Sequence, residues 1–336
     1  MGTQLGHICR QLTFKPKPLP QDVRLDGQTA IVTGASAGGL GFEAAKELAD
    51  HGLARLILAV RTLASGETVK QQIVEESPSC DVQVWALDYE SFENMAAFAA
   101  RARSELNRLD IVLLSAGVKN LEFVRSKTGH ESNVQVNHLG TAYLSLLLLP
   151  SLYATAKQTG RPARLTIVAS EVHFWTPFTE RNAPSILQRL DEESSFKQGD
   201  MERYNTSKLL NVLWTREISF RTVSQSGECA GSVTINAVNP GFCASALHRS
   251  HAMPGQALIN RVLAWTPVQG GYCLADAVCR HDERRGAYIS EQEIKAPSSF
   301  VTSTDGEKAQ KRLWEETIAL LEEVDPSLDI KSLLEG

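Results

Sequence analysis

The chain has 336 residues, 43% hydrophobic and 22% charged, which is enough apolar mass for a sizeable core. Its net charge of −5 is mild, and the basic residues form no stripe, which argues against nucleic acid as a partner. The six cysteines (Cys9, Cys80, Cys229, Cys243, Cys273 and Cys279) are scattered without a CxxC pair. Neither a disulfide framework nor a metal site is expected from them, and they read as thiols of a reducing compartment, the cytoplasm.

Residues 1–20 contain no apolar run of the signal-peptide kind, and Gly6 stands where N-myristoylation requires Ser or Thr. Residues 14–22, rich in Lys and Pro, read as an extended lead-in. From Gln28 onward, apolar or β-branched runs alternate with amphipathic stretches. Strands are expected at residues 29–33, 55–60, 82–87, 111–114, 165–169 and 233–238, with helical patterns such as 43–49 and 92–106 between them. This alternation predicts an α/β fold, a doubly wound parallel sheet of about seven strands with helices on both faces. The strands are near-continuous apolar runs, as burial on both faces requires. Residues 144–149 form an apolar run too short to span a bilayer and are read as a buried helix. Residues 173–200 and 244–266 interrupt the alternation as two insertions, and a last helix is expected near 307–324. No linker divides the chain, so one domain over residues 1–336 is expected.

Several short motifs carry chemistry. Thr33-Gly34-Ala35-Ser36-Ala37-Gly38-Gly39-Leu40-Gly41 joins the first strand to a helix. Missing side chains let the backbone approach a pyrophosphate, and the helix N-terminus offers free N–H groups and a positive dipole end. At the end of the second strand stands Arg61, where an NAD site places Asp or Glu for the ribose 2′-hydroxyl. An arginine pairs with a 2′-phosphate, which points to NADP(H). Tyr204 and Lys208 are four residues apart, on one face of a helix. Ser170 ends the fifth strand, where ligands of open α/β sheets bind.

Taken with Leu87-Asp88, Ser115-Ala116-Gly117, Asn137-His138 and Asn239-Pro240-Gly241, these motifs resemble the short-chain dehydrogenases/reductases from about residue 28 to 290. The likeness is to the retinol-dehydrogenase-like and carbonyl-reductase-like branch. The resemblance implies a single-domain Rossmann fold and a catalytic set of Ser170, Tyr204, Lys208 and Asn137. It implies a cofactor site of Gly34, Ser36, Gly39, Leu40, Gly41, Arg61, Asp88, Ser115, Ala116, Gly117, Asn137, Tyr204, Lys208, Pro240, Gly241 and Ser245. In such enzymes hydride passes from the nicotinamide to a carbonyl carbon while the oxygen gains a proton. Tyr204 can supply that proton, and the Lys208 ammonium is expected to lower the phenol's pKa from about 10 towards the working range. Ser170 can donate to the carbonyl oxygen. By resemblance Lys208 also holds the nicotinamide ribose, and Asn137 holds a water on the proton route.

The chain departs from the family pattern at three places. Its glycine turn is one residue longer than Thr-Gly-x-x-x-Gly-x-Gly, with Gly38 read as the extra residue. Ser115 stands where most relatives have Asn, and Ala169 precedes Ser170 where close relatives often have a second serine. An apolar substrate wall is expected from His173, Phe174, Trp175, Phe178, His248, Met253 and Trp265, or else these are core aromatics. The reading that results is an NADPH-dependent reductase of a small, largely apolar ketone or aldehyde, or the reverse alcohol oxidation. Its alternatives are a family fold recruited for cyclase or isomerase chemistry and a non-catalytic dinucleotide-binding regulator. No nucleic acid or membrane-span partner is expected. A homodimer is possible, because many relatives pair through the helices that here would span about 131–157 and 201–221.

Overall fold

The computed structural model describes residues 4–222, 233–245, 247, 262–282 and 286–335. Its strands form one eight-stranded sheet in the order β3-β2-β1-β4-β5-β6-β7-β8. They are β1 (Thr29–Thr33), β2 (Arg55–Val60), β3 (Asp81–Ala86), β4 (Ile111–Leu114), β5 (Ala163–Val168), β6 (Val233–Asn239), β7 (Tyr288–Ser290) and β8 (Glu293–Lys295). The first seven pair in parallel, and β8 returns antiparallel to β7.

Burial explains the strand sequences. β1, β4 and β6 are buried at every residue; β1 and β4 are apolar or β-branched throughout, while β6 also carries Asn236 and Asn239, whose buried side chains are hydrogen-bonded. The edge strand β3 is fully buried only at Val82 and Trp85, and its first residue, Asp81, is exposed. The last two strands were not expected from the sequence. Three residues each are too few to show a period, and β8 (Glu-Ile-Lys) is too polar to read as a buried run.

The helices are α1 (Gln4–Thr13), α2 (Leu40–Asp50), α3 (Leu63–Glu76), α4 (Phe92–Glu105), α5 (Gly140–Thr159), α6 (Ile186–Asp191), α7 (Glu202–Arg221), α8 (Pro267–Cys279), α9 (Thr304–Val324) and α10 (Ile330–Glu335). One apolar cluster, with Trp85, Phe98, Leu146 and Trp214, packs α4, α5 and α7 on one face of the sheet. A second, with Phe42, Leu48, Val69 and Leu274, packs α2, α3 and α8 on the other. The run at residues 144–149 lies inside α5 and is buried. Residues 132–159 are long and apolar enough to cross a membrane, but 78% of their most apolar window is buried inside the protein.

The helix at residues 4–13 is a correction, because no helix is expected from the sequence ahead of the extended lead-in at residues 14–22. Residues 14–20 beyond it are without regular structure. The insertion at 173–200 folds as short 3₁₀ turns around α6.

Candidate active site

Strand order reverses between β1 and β4, which opens a crevice at their carboxyl ends. A cavity of about 800 Å³ lies there. Gly34, Ser36, Gly39, Leu40, Arg61, Asp88, Ser115, Ala116, Gly117, Ser170, Tyr204, Lys208, Pro240, Gly241 and Ser245 all line it. Gly41 and Asn137, expected in the same set, are buried behind the wall.

The glycine turn is built by close approach. Gly34 has φ +67°, and a Cβ on it would lie 2.8 Å from Ala116 Cα. A Cβ on Gly39 would lie 2.9 Å from Ser36 O, and one on Gly41 would lie 3.0 Å from Thr33 O. The additional glycine, Gly38, takes φ +72°, so the extra residue is absorbed as a left-handed step. Gly39 then caps α2 without a side-chain hydrogen bond, and Gly39 and Leu40 at this helix start line the cavity. Bare backbone, a helix N-terminus and no Cβ in the way are the features a pyrophosphate needs. At the far end of the same wall, Arg61 is exposed and lies beside Thr62 and Ser65. Asp88 is held by Lys127 at 2.9 Å, which keeps its carboxyl below its ordinary range although partial burial opposes this.

Ser115, standing for the usual Asn, does not leave the β1–β4 junction loose. The Thr33 hydroxyl accepts from the backbone N–H of Ser115 at 3.0 Å and of Ala116 at 3.1 Å. The buried Tyr89 hydroxyl donates to the same oxygen at 3.0 Å. Thr33 and Tyr89 therefore tie the end of β1 to the loop after β4.

Tyr204 and Lys208 lie on α7 facing the end of β5, both buried. Lys208 Nζ donates to Val168 O at 3.0 Å and lies 5.9 Å from the Tyr204 ring centroid. Asn137 sits in a π-helical turn, Gln135–Leu139, ahead of α5. A one-turn widening of this kind re-aims a side chain and is frequent at functional sites. Its amide donates to Val118 O and Ser207 Oγ, both at 2.9 Å, and accepts from Val118 N at 2.8 Å. A Cβ on Gly117 would lie 3.1 Å from Asn137 Oδ1 and 3.5 Å from Lys208 Nζ, so that glycine keeps the space between them clear.

The electrostatics differ from the expectation at Tyr204. Burial raises its phenol above the ordinary tyrosine range, where the Lys208 ammonium was expected to lower it. The same burial lowers Lys208 to about 8. Desolvation disfavours the phenolate and the ammonium alike.

Two further residues shape this region: Asn239, named in the sequence only as part of the Asn239-Pro240-Gly241 motif, and Lys119, which the sequence did not single out. Asn239 accepts from Glu171 N at 3.0 Å and Gly241 N at 3.1 Å, and donates to Ser290 Oγ at 3.0 Å. It ties the Ser170 loop to the Pro240–Gly241 turn and to β7. Lys119 lines the cavity and is buried, which lowers its pKa. Lys119 comes two residues after the Ser115-Ala116-Gly117 motif, yet no sequence pattern marks which side chain there turns inward.

Among the residues expected at the substrate wall, Trp175 lines the cavity. His173, Phe174, Phe178 and Trp265 pack elsewhere, as core aromatics. The His173 ring lies 4.2 Å from Phe174 and 4.8 Å from Tyr288, and Phe178 is buried 5.9 Å from Phe300. Trp265 lies against Cys243 and Phe14, over Gly241. His248 and Met253 fall outside the described residues. His173 is a strut: Nε2 accepts from Ser298 N at 3.1 Å, so Nδ1 carries the proton and donates to Ser170 O at 2.7 Å. Burial lowers its pKa to about 4, so it stays neutral.

Comparison with known proteins agrees with this geometry. Residues 28–175 match the family model described as short chain dehydrogenase. The short chain dehydrogenase sol3 of Alternaria solani is 65% identical over 295 residues, 88% of this chain and all of that protein. The short chain dehydrogenase/reductase dmxR8 of Cryptosporiopsis sp. is 34% identical over 328 residues, 96% of this chain and 99% of that one. Among solved structures, the Pseudomonas aeruginosa RhlG/NADP active-site complex superposes with a TM-score of 0.59 at 22% identity, covering 81% of this chain and 97% of that one.

Proposed function

The chain belongs to the short-chain dehydrogenase/reductase family, and from that membership we propose that it is an NADPH-dependent reductase of a ketone or aldehyde on a small, largely apolar molecule. The observation that carries the reading is one cavity lined by the glycine cradle, Arg61, Ser170, Tyr204 and Lys208. Arg61 favours the 2′-phosphate of NADPH, because a guanidinium fork matches phosphate and gains little from a ribose hydroxyl. NADPH, when bound, supplies the hydride.

The chain's own residues do the rest. Ser170 orients the carbonyl and donates to its oxygen as charge develops there. Tyr204 gives its proton to that oxygen, and the product is the alcohol. Its raised pKa keeps the phenol protonated until the substrate takes the proton, which suits reduction. Lys208 holds the ribose hydroxyls and stabilises the phenolate left behind. Asn137, fixed to Val118 and Ser207, lies on the reprotonation route behind Lys208. The reverse oxidation of a secondary alcohol uses the same groups. A cytoplasmic place fits the free thiols at Cys9, Cys80, Cys243, Cys273 and Cys279.

The test is turnover of NADPH with a panel of carbonyl compounds, followed by nicotinamide absorbance. Tyr204→Phe should lower kcat at least ~10²-fold, as loss of a general acid does, while leaving the dinucleotide Kd within a few-fold. Full activity in Tyr204→Phe would falsify the mechanism.

A further inference from the structure

Helix α1 and the segment after it lie outside the part of the chain that matches the family model, which begins at residue 28. Their contacts nevertheless converge on the active site. His7 lines the cavity, and its ring meets Trp175 edge-on at 5.3 Å. His7 Nδ1 lies 2.5 Å from one carboxylate oxygen of Glu171, and the Arg10 guanidinium contacts the other. Glu171 is buried and directly follows Ser170. Its countercharge therefore comes from α1, outside the matched region.

The docking is continuous. Gln11 exchanges hydrogen bonds with the backbone of Phe242 at 2.7 and 3.1 Å, and its carbonyl accepts from Trp265 Nε1 at 2.9 Å. Arg10 Nε reaches Glu291 at 3.6 Å. Glu291 and Gln292 form the β7–β8 turn with φ +50° and +57°, a left-handed pair that non-glycine residues adopt only when their surroundings hold them. The Gln292 side chain is in turn held by two 2.8 Å bonds to the backbone of Lys17.

We propose that α1 is a working part of the active site: Arg10 and His7 clamp Glu171 and thereby position Ser170, and His7 with Trp175 forms the wall that meets the far end of the carbonyl substrate. The inference rests on the reductase reading above. A buried carboxylate without its cation moves towards water, and Glu171 cannot do so without dragging the adjacent Ser170 turn, whose hydroxyl must stay aimed at the substrate oxygen. Arg10, His7 and Glu171 are thus positioning residues for Ser170.

Full-length variants test this. Arg10→Met should lower kcat roughly tenfold or more with the NADPH Kd unchanged, since misplacing an orienting group costs rate. It should also speed hydrogen–deuterium exchange in residues 170–175. Adding Glu171→Gln should restore most of both losses, because an amide needs no counterion. Arg10→Lys should restore part of them. His7→Ala should shift the KM ratio of 2-naphthaldehyde to benzaldehyde by about threefold or more, as a change in pocket shape does. Wild-type kcat and exchange in Arg10→Met overturn the proposal, as does a double variant no better than the single one. If the wild type reduces no carbonyl compound, the functional reading fails, and the exchange comparison still decides the clamp.

Discussion

At the scale of single residues, two opposite pKa shifts define when the site is charged for work. Lys208 is lowered to about 8 by burial, and Tyr204 is raised by the same cause. Below about pH 8, Lys208 is an ammonium and Tyr204 a phenol, the states in which the proposed mechanism has Tyr204 donate its proton and Lys208 hold the phenolate that remains. As pH rises through about 8 the ammonium is lost while Tyr204 stays protonated. For the free enzyme, kcat/KM of carbonyl reduction should therefore fall on the alkaline side near pH 8. The stability sign is the reverse. The unfolded lysine keeps its proton up to about 10.4, so the burial cost of Lys208 is full below pH 8 and is relieved between 8 and 10. Activity falling over a range in which the melting temperature does not fall would separate titration from unfolding. A flat kcat/KM from pH 7 to 10 sinks the assignment of Lys208.

At the scale of elements, close approach explains why particular glycines cannot be replaced. Gly241 has φ +80°, and a Cβ there would lie 2.2 Å from the Trp265 ring. Gly241→Ala should cost roughly 2–4 kcal/mol from backbone strain and overpacking together, read by chemical denaturation, and should weaken dinucleotide binding. A variant as stable as the wild type would show that Trp265 yields easily.

The same scale shows what the sequence could reveal. Six strands of the sheet were legible from runs rich in apolar and β-branched residues, which burial on both faces makes nearly continuous in β1, β2 and β4. The cavity residues were legible because backbone approach demands glycine and proton transfer demands Tyr and Lys at helical spacing. The β7–β8 hairpin was not, because its turn uses Glu291 and Gln292 where a left-handed turn ordinarily uses Gly or Asn. Nor was α1, a polar ten-residue helix stabilised by Glu171, Phe242 and Trp265 far along the chain. Tertiary partners of that kind leave no local pattern. The burial-driven rise at Tyr204 was missed for a related reason, since spacing gives the Lys208 neighbour but not the dryness around both.

At the scale of the molecule, the C-terminal helices decide what the large faces of α5 and α7 can do. Trp314 of α9 stacks on Trp214 of α7 at 4.6 Å with the rings 18° apart, and the Arg221 guanidinium lies 4.6 Å from the Trp314 ring. Thr317 of α9 bonds the buried His138 at 3.1 Å. Beyond α9, Asp325 accepts from Tyr143 of α5 at 2.6 Å, and Tyr153 donates to Leu334 O in α10 at 3.0 Å. These contacts cover, within one chain, the two helices through which a homodimer was thought possible. A second subunit would meet α9 and α10 over much of these two helices. The protein should therefore run as a monomer at micromolar concentration in size-exclusion chromatography with light scattering, and a concentration-independent dimer would refute this. Trp314→Ala should cost about 3–5 kcal/mol of stability, as truncation of a buried Trp does, with kcat per folded molecule unchanged. If the same variant also dimerised, the exposed face of α7 would be identified as the surface that α9 ordinarily keeps covered.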